Sequence, residues 1–302
     1  MMKTLLKLMI LPLLSGCCAL TAMAQHVTVV SQTRLSDGIE GEACYPRLSP
    51  DATKLLFSDV DTRGLRMLDL NSHTVTTLSE EPGAGFDARW AGNDRVCFVT
   101  ARRADDHLIY RTPMSYDLAT HSAQAMLEPQ HGAVSAVVGN RGTAFLGAHK
   151  SRGRVKDTGT SVYTKGSQLI ITRDGVTTAH SPVESYAGYL WASLSPNGDK
   201  VAFVAAESGV IVTDLNGNVL ASLGHYEMPA WLDNEYLVVQ NATDDGHQFT
   251  SSQILLLKAD GTFSHALTAP SSMTMQPTAA AGTVVYSTID GKLTMLKIQI
   301  TQ

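Results

Sequence analysis

Long apolar runs are scarce in this chain. Past the first two dozen residues, none is long enough to cross a bilayer as a helix. An excess of basic charge is missing too. The 23 Lys and Arg stand against 28 Asp and Glu, a formal net charge of −5, so the footprint that nucleic-acid binding needs is absent. Cysteine is rare. Of four, Cys17 and Cys18 fall in the N-terminal segment, which leaves Cys44 and Cys97 without the spacing of a metal knuckle or a disulfide framework. Cys97 lies within the apolar Val96-Cys97-Phe98-Val99 and reads as a small buried hydrophobe. A bridge to Cys44 is the alternative in an oxidising compartment.

Catalytic signatures are missing as well. There is no Gly-x-Ser-x-Gly elbow, no His-Glu-x-x-His, no glycine-rich phosphate loop and no EF-hand loop. The oxygen-rich Asn241-Ala-Thr-Asp244-Asp245-Gly246-His247 has the wrong spacing for calcium and reads as a polar turn. The ten histidines are scattered. No metal site and no cofactor is expected.

What is present is an ordinary globular balance over 302 residues, 44 % hydrophobic and 17 % charged. Met1-Met2-Lys3, followed by apolar residues through Leu14, has the form of a signal peptide over 1–24 with Ala22-Met23-Ala24 as its cleavage site. Leu14-Ser15-Gly16-Cys17 offers a second processing site, a lipobox that would leave Cys17 acylated. Residues 25–302 are then a single exported domain. It is expected in the periplasm or secreted, or alternatively on the outer membrane as a lipoprotein.

One text is written twice. Leu48-Ser49-Pro50-Asp51 followed by Lys54-Leu55-Leu56-Phe57 returns as Leu194-Ser195-Pro196-Asn197-Gly198 followed by Lys200-Val201-Ala202-Phe203. Degenerate copies place the same turn near residues 91, 139, 232 and 281, an average spacing of roughly 46 residues, which suits a four-stranded propeller blade. Each turn precedes a continuously apolar, β-branched strand, predicted over 54–58, 95–100, 143–146, 200–204, 236–240 and 283–287. Asp-Leu-Asn-type phrases at Asp69, Asp117 and Asp214, with Asp174-Gly175 and Asp260-Gly261, then turn the third strand into the fourth. The sixth unit lacks a strand, and an orphan strand at 26–31 stands ready to supply it. The fold expected is all-β: a six-bladed propeller of four-stranded antiparallel blades, closed by pairing of the N-terminal strand with the last blade, which removes exposed edges.

The Ser-Pro-Asp and Ser-Pro-Asn-Gly turns, with their Lys-x-x-Phe strands and later Asp-Leu phrases, resemble the repeat of TolB-type six-bladed β-propellers from about Ala43 onward. Trp90-Ala-Gly-Asn93 and Trp231-Leu-Asp-Asn234 keep an aromatic but lose the Ser-Pro. The resemblance implies fold and not function, because such propellers serve as binding platforms, accessory domains and enzymes. No room is expected here for the α/β domain that precedes the propeller in TolB, so the resemblance does not carry over that family's partners.

In a meander the turns after strands one and three share one face. They are short throughout, so the long connections, read at 101–111, 148–167 and 241–252, gather on the other face, where scaffolds of this kind place recognition. Residues opening the innermost strands should line the channel mouth: Glu42, Tyr45, Asp87, Arg89, Tyr189, Trp191, Glu227 and Gln276. Trp90 and Trp231 are expected to pack between blades, whereas Tyr189 and Trp191 fit either role. A basic loop, Lys150, Arg152, Arg154 and Lys156, is either an anion site or a solvated run. The function expected is a non-enzymatic binding or scaffold protein for a protein or glycan of the bacterial envelope. The alternative is a propeller lyase or hydrolase of acidic polysaccharide, with Arg89, Asp87 and Glu227 neutralising charge and moving protons.

Overall fold

A computed structural model describes residues 25–132, 134–139, 142–146, 152–154 and 159–301. Residues 1–24, read as a signal peptide and including Cys17, lie outside the described residues, as do Lys150 and Lys156. Six antiparallel sheets account for the fold, and two three-residue 3-10 turns are its helical content among the described residues. No described helix is long and apolar enough to cross a membrane.

From the inside outward, blade 1 is Cys44–Leu48, Lys54–Ser58, Leu65–Asp69 and Val75–Ser79. Blade 2 is Arg89–Trp90, Arg95–Arg103, Ile109–Asp117 and Ser122–Ala125, with Gln130–His131 added beside its third strand. Blades 4 and 5 open with Tyr189–Leu194 and Glu227–Trp231. Blade 6 runs Thr274–Ala280, Thr283–Thr288, Leu293–Thr301 and last His26–Arg34, so the first strand of the chain pairs with its final one. The predicted closure is therefore present, with His26 opposite Thr301 and Arg34 opposite Thr294.

The core lies between blades. Each of five buried clusters joins two neighbours; one sets Leu56, Leu65 and Leu78 of blade 1 against Val96, Phe98 and Tyr116 of blade 2. Phe57, Phe98 and Phe203 occupy matching second-strand positions and are fully buried, each contributing roughly 1.5–3 kcal/mol by removal of apolar surface from water. Cys44 and Cys97 are both buried free thiols, and burial pushes Cys97 up to about 12.

The Ser-Pro turns have a clear local cause. Ser49 Oγ donates to Asp51 Oδ1 at 2.6 Å and accepts the Lys54 N–H at 3.0 Å, so one hydroxyl ties the turn shut. Ser195 repeats this with Asn197 at 2.8 Å and Lys200 at 3.0 Å. As expected, the tryptophans join blades. Trp90 Nε1 donates to the Arg47 carbonyl at 2.9 Å and Trp231 Nε1 to that of Ser193 at 3.3 Å. Three residues on, Asn93 accepts the Asp51 N–H at 3.2 Å and Asn234 that of Asn197 at 2.9 Å. The Trp-x-x-Asn text is thus a clasp on the preceding blade's turn.

The long connections are shorter than the sequence suggested. Arg95–Arg103 and Ile109–Asp117 pair to their ends, as do Tyr236–Asp244 and Phe249–Lys258, leaving turns of only 104–108 and 245–248. These are strand arms rather than loops, polar because they overhang the disc and face water. Blade 3 departs most. Its first strand, Ser135–Gly139, pairs with Ser161–Thr164, which is followed by Leu169–Arg173 and Val176–His180. The span read as second strand, within Gly142–Leu146, instead lies on the other side of Ser135–Gly139, and Arg152–Arg154 pairs with it at the inner edge. Two strands therefore occupy what was read as the loop 148–167.

Candidate functional site at the channel mouth

The innermost strands share a kink. Tyr45, Asp87, Trp191, Met228 and Gln276 all adopt left-handed backbone, φ 50 to 54°. In blades 1, 4, 5 and 6 the register with the second strand slips at this point, the mark of a β-bulge. Each such residue costs about 1–2 kcal/mol, which the surrounding blade sets off by packing. Four of the five are residues that the sequence placed at the channel mouth.

A bulge leaves an N–H without a ladder partner, and neighbouring blades supply acceptors. The Tyr45 N–H donates to Gln276 Oε1 at 2.7 Å, and the Gln276 N–H donates to Gln240 Oε1 at 2.8 Å. Gln276 Oε1 also accepts from Ser287 Oγ at 2.8 Å. Gln240 Nε2 in turn reaches Glu227 Oε2 at 3.2 Å. Glu227, Gln276 and Tyr45 are thereby joined across blades 5, 6 and 1 through the buried Gln240, which the sequence reading missed. Desolvation, with Asp244 next, raises the Glu227 carboxyl above its ordinary range.

Blades 1 and 2 bring positive charge together. Arg89 forms an ion pair with Asp87, yet its buried Nε has no partner among the described residues. Arg47, two residues past its bulge as Arg89 is past Asp87, donates among the described residues to the adjacent Pro46 carbonyl at 3.0 Å. Burial and then the nearby Arg89 guanidinium pull Arg47 down to about 10, against the opposing pull of Asp87. Two guanidiniums and one carboxylate leave this sector cationic, and Arg47 is a member that no motif announced.

The remaining predicted residues are dispersed. Glu42 is exposed, and its backbone carbonyl accepts from Arg66 Nη2 at 2.5 Å. Tyr189 is buried, its ring 4.6 Å from that of Phe203 and its hydroxyl donated to the Val183 carbonyl. Trp191 packs on the blade 4–5 cluster. Sheet order puts Arg152 and Arg154 on the channel-side strand of blade 3. Among the described residues no group of His, Cys, Asp or Glu is arranged to hold a metal.

Large exposed apolar side chains are numerous on this face: Val60, Phe86, Tyr186 and Ile289 sit on connections after second strands or before first ones, while Val176 adjoins the 174–175 turn of the opposite face. Tyr186 is 93 % exposed, although its loop is pinned: Glu207 accepts the N–H groups of Tyr186 and Ala187 at 3.1 and 2.9 Å, and Ser185 Oγ donates to the Gly188 carbonyl at 2.9 Å. Bonds from Ser185 first, and then from the Ala187 N–H, hold the Glu207 carboxyl below its usual range.

An all-β ring of six blades of antiparallel strands defines the chain as a β-propeller. Its fold is of the TolB type, and TolB from Acinetobacter baumannii superposes with a TM-score of 0.50 at 18 % identity over 74 % of this chain. The matched part is 53 % of that protein, so this chain spans about half the TolB length. The β-propeller domain of Cps50 (Swd1) from Myceliophteria thermophila matches over 91 % of this chain and all of its own, with 10 % identity and a TM-score of 0.58. A chain of the mitotic checkpoint complex matches at 10 % identity with a TM-score of 0.53, over 89 % of this chain and 95 % of that one. No family model matches the sequence, and no curated protein does.

Proposed function

We propose that the chain is an exported, non-enzymatic binding or scaffold protein, directed by a signal peptide over 1–24 and engaging a protein or glycan of the bacterial envelope. The contact is made by the loop-rich face and the channel mouth. One observation carries this reading. Tyr186 is held 93 % exposed on a loop fixed by Glu207 and Ser185, when an aromatic with no partner would ordinarily fold onto the surface. A rigid, exposed aromatic is what an interface uses as an anchor, because little ordering entropy remains to be lost on binding. Phe86, 69 % exposed on the corresponding connection into blade 2, supports the same face.

Recovery of partners from envelope fractions tests the proposal. The wild-type chain should bring down a defined component, and Tyr186→Ser with Phe86→Ser should lose it while melting unchanged. Equal recovery by the double variant contradicts the assignment of the face.

A further inference from the structure

A second site lies away from the channel, at the seam between blades 1 and 2. The second and third strands of blade 2 each have nine residues, whereas the third and fourth strands of blade 1 have five. Four further residues on a strand extend it by roughly 13 Å. The blade 2 arm therefore overhangs its neighbour, and the connection leaving blade 1 is tied to the arm's edge, where the Ala101 N–H donates to the Pro82 carbonyl at 2.8 Å. Beneath the overhang is a cavity of about 710 Å³, within the range that accepts small ligands.

Strand alternation sets its chemistry. Phe98, Thr100 and Arg102 share one face and stand opposite Met114, Thr112 and Tyr110. Phe98 and Met114, with Leu78 of blade 1, form an apolar floor continuous with the core between the blades. The Tyr110 hydroxyl is taken by Asp106 Oδ2 at 2.9 Å, so its ring forms a wall. Arg102 and Arg103 stand at the rim, and among the described residues neither is in an ion pair. Glu81 and Asp105 also reach the rim, which disfavours a polyanion but leaves room for one anionic group against Arg102.

We infer that this inter-blade cavity binds a small amphiphile, an aromatic or aliphatic body against Met114 and the Tyr110 ring, above the buried Phe98 and Leu78, with a single anionic head at Arg102. Apolar burial supplies the driving force, and the guanidinium supplies orientation and selection by charge. The site is independent of the channel-mouth reading.

Titration of the mature protein with 1-anilinonaphthalene-8-sulfonate, followed by fluorescence, tests it. Saturable binding is expected, weakened at least tenfold by Arg102→Gln and by Thr112→Trp, which places an indole across the cavity. The neutral N-phenyl-1-naphthylamine should bind at least tenfold more weakly than the sulfonate. Absence of saturable binding overturns the site, as does wild-type affinity in Arg102→Gln. Equal affinity for the two probes overturns the anionic head. Arg102 is exposed, so Arg102→Gln folds and decides the matter even where Thr112→Trp does not.

Discussion

The side-chain carbonyl of Gln276 accepts the backbone N–H of Tyr45 at 2.7 Å, across the seam where the last blade meets the first. The donor is free only because Tyr45 is bulged out of its ladder, and Gln276 is itself the bulged residue of blade 6. A kink in one blade is thus satisfied by the kinked residue of the blade before it.

Gln276→Leu removes the acceptor of the Tyr45 N–H and leaves the Ser287 hydroxyl with only its longer bond to the Met275 carbonyl at 3.3 Å. Loss of about 1–3 kcal/mol is expected, read as a fall in thermal midpoint of roughly 2 °C or more for each kcal/mol. A midpoint unchanged in calorimetry would show that the seam does not depend on this bond.

The clasps should differ in strength. Trp90→Phe forfeits an indole bond of 2.9 Å and Trp231→Phe one of 3.3 Å, so the first should cost about 1 kcal/mol and the second less. Urea unfolding of the two variants side by side gives the order.

Closure of the ring predicts a contrast within one strand. Val27 is 6 % exposed and packs on the cluster between blades 5 and 6, whereas Val30 is 61 % exposed. Val27→Asp buries an unpaired carboxylate and should destabilise by about 2 kcal/mol or more, while Val30→Asp should stay within about 0.5 kcal/mol of wild type. Equal melting of the two variants would mean that the first strand does not hold the last blade.

Acid should unravel the repeated turns. Asp69 is held below its ordinary value chiefly by the Ser72 N–H and then by Asn71, and Asp117 by Thr120 and then Ala119. For Asp214 burial works upward, and bonds from Asn218 outweigh it to lower the carboxyl. A depressed folded value contributes stability above the unfolded pKa, and this is lost as pH falls through the folded one. The triple variant Asp69→Asn, Asp117→Asn and Asp214→Asn should therefore lose stability less steeply than wild type below about pH 4, followed by circular dichroism.

Blade count, closure and the clasping tryptophans were legible because their causes are local. Ser-Pro turns recur, second strands are continuously apolar where both faces are covered, and Val27-Thr-Val-Val30 reads as a strand without a partner. The bulges were not legible as such, since Tyr45, Trp191, Met228 and Gln276 are not residue types that favour a left-handed backbone, and Asp87 alone is of a type enriched there. The polar arms around 101–111 and 241–252 resemble loops because a strand that overhangs into water loses its apolar alternation. In blade 3 the apolar Thr143-Ala-Phe-Leu146 outranks the more polar Ser161-Val-Tyr-Thr164 on pattern alone, although the latter is the strand that continues the blade. Arg47 and Gln240 belong to the site through contacts with neighbouring blades, which no window of sequence contains.

Photo-crosslinking in the living envelope tests the central claim most directly. A photoreactive residue at Tyr186 or Phe86, on the loop-rich face, should give a discrete crosslinked product, and one at Ser72 or Asp174, on the trim face, should give none. Products from the trim face alone, or none from either, would contradict the account.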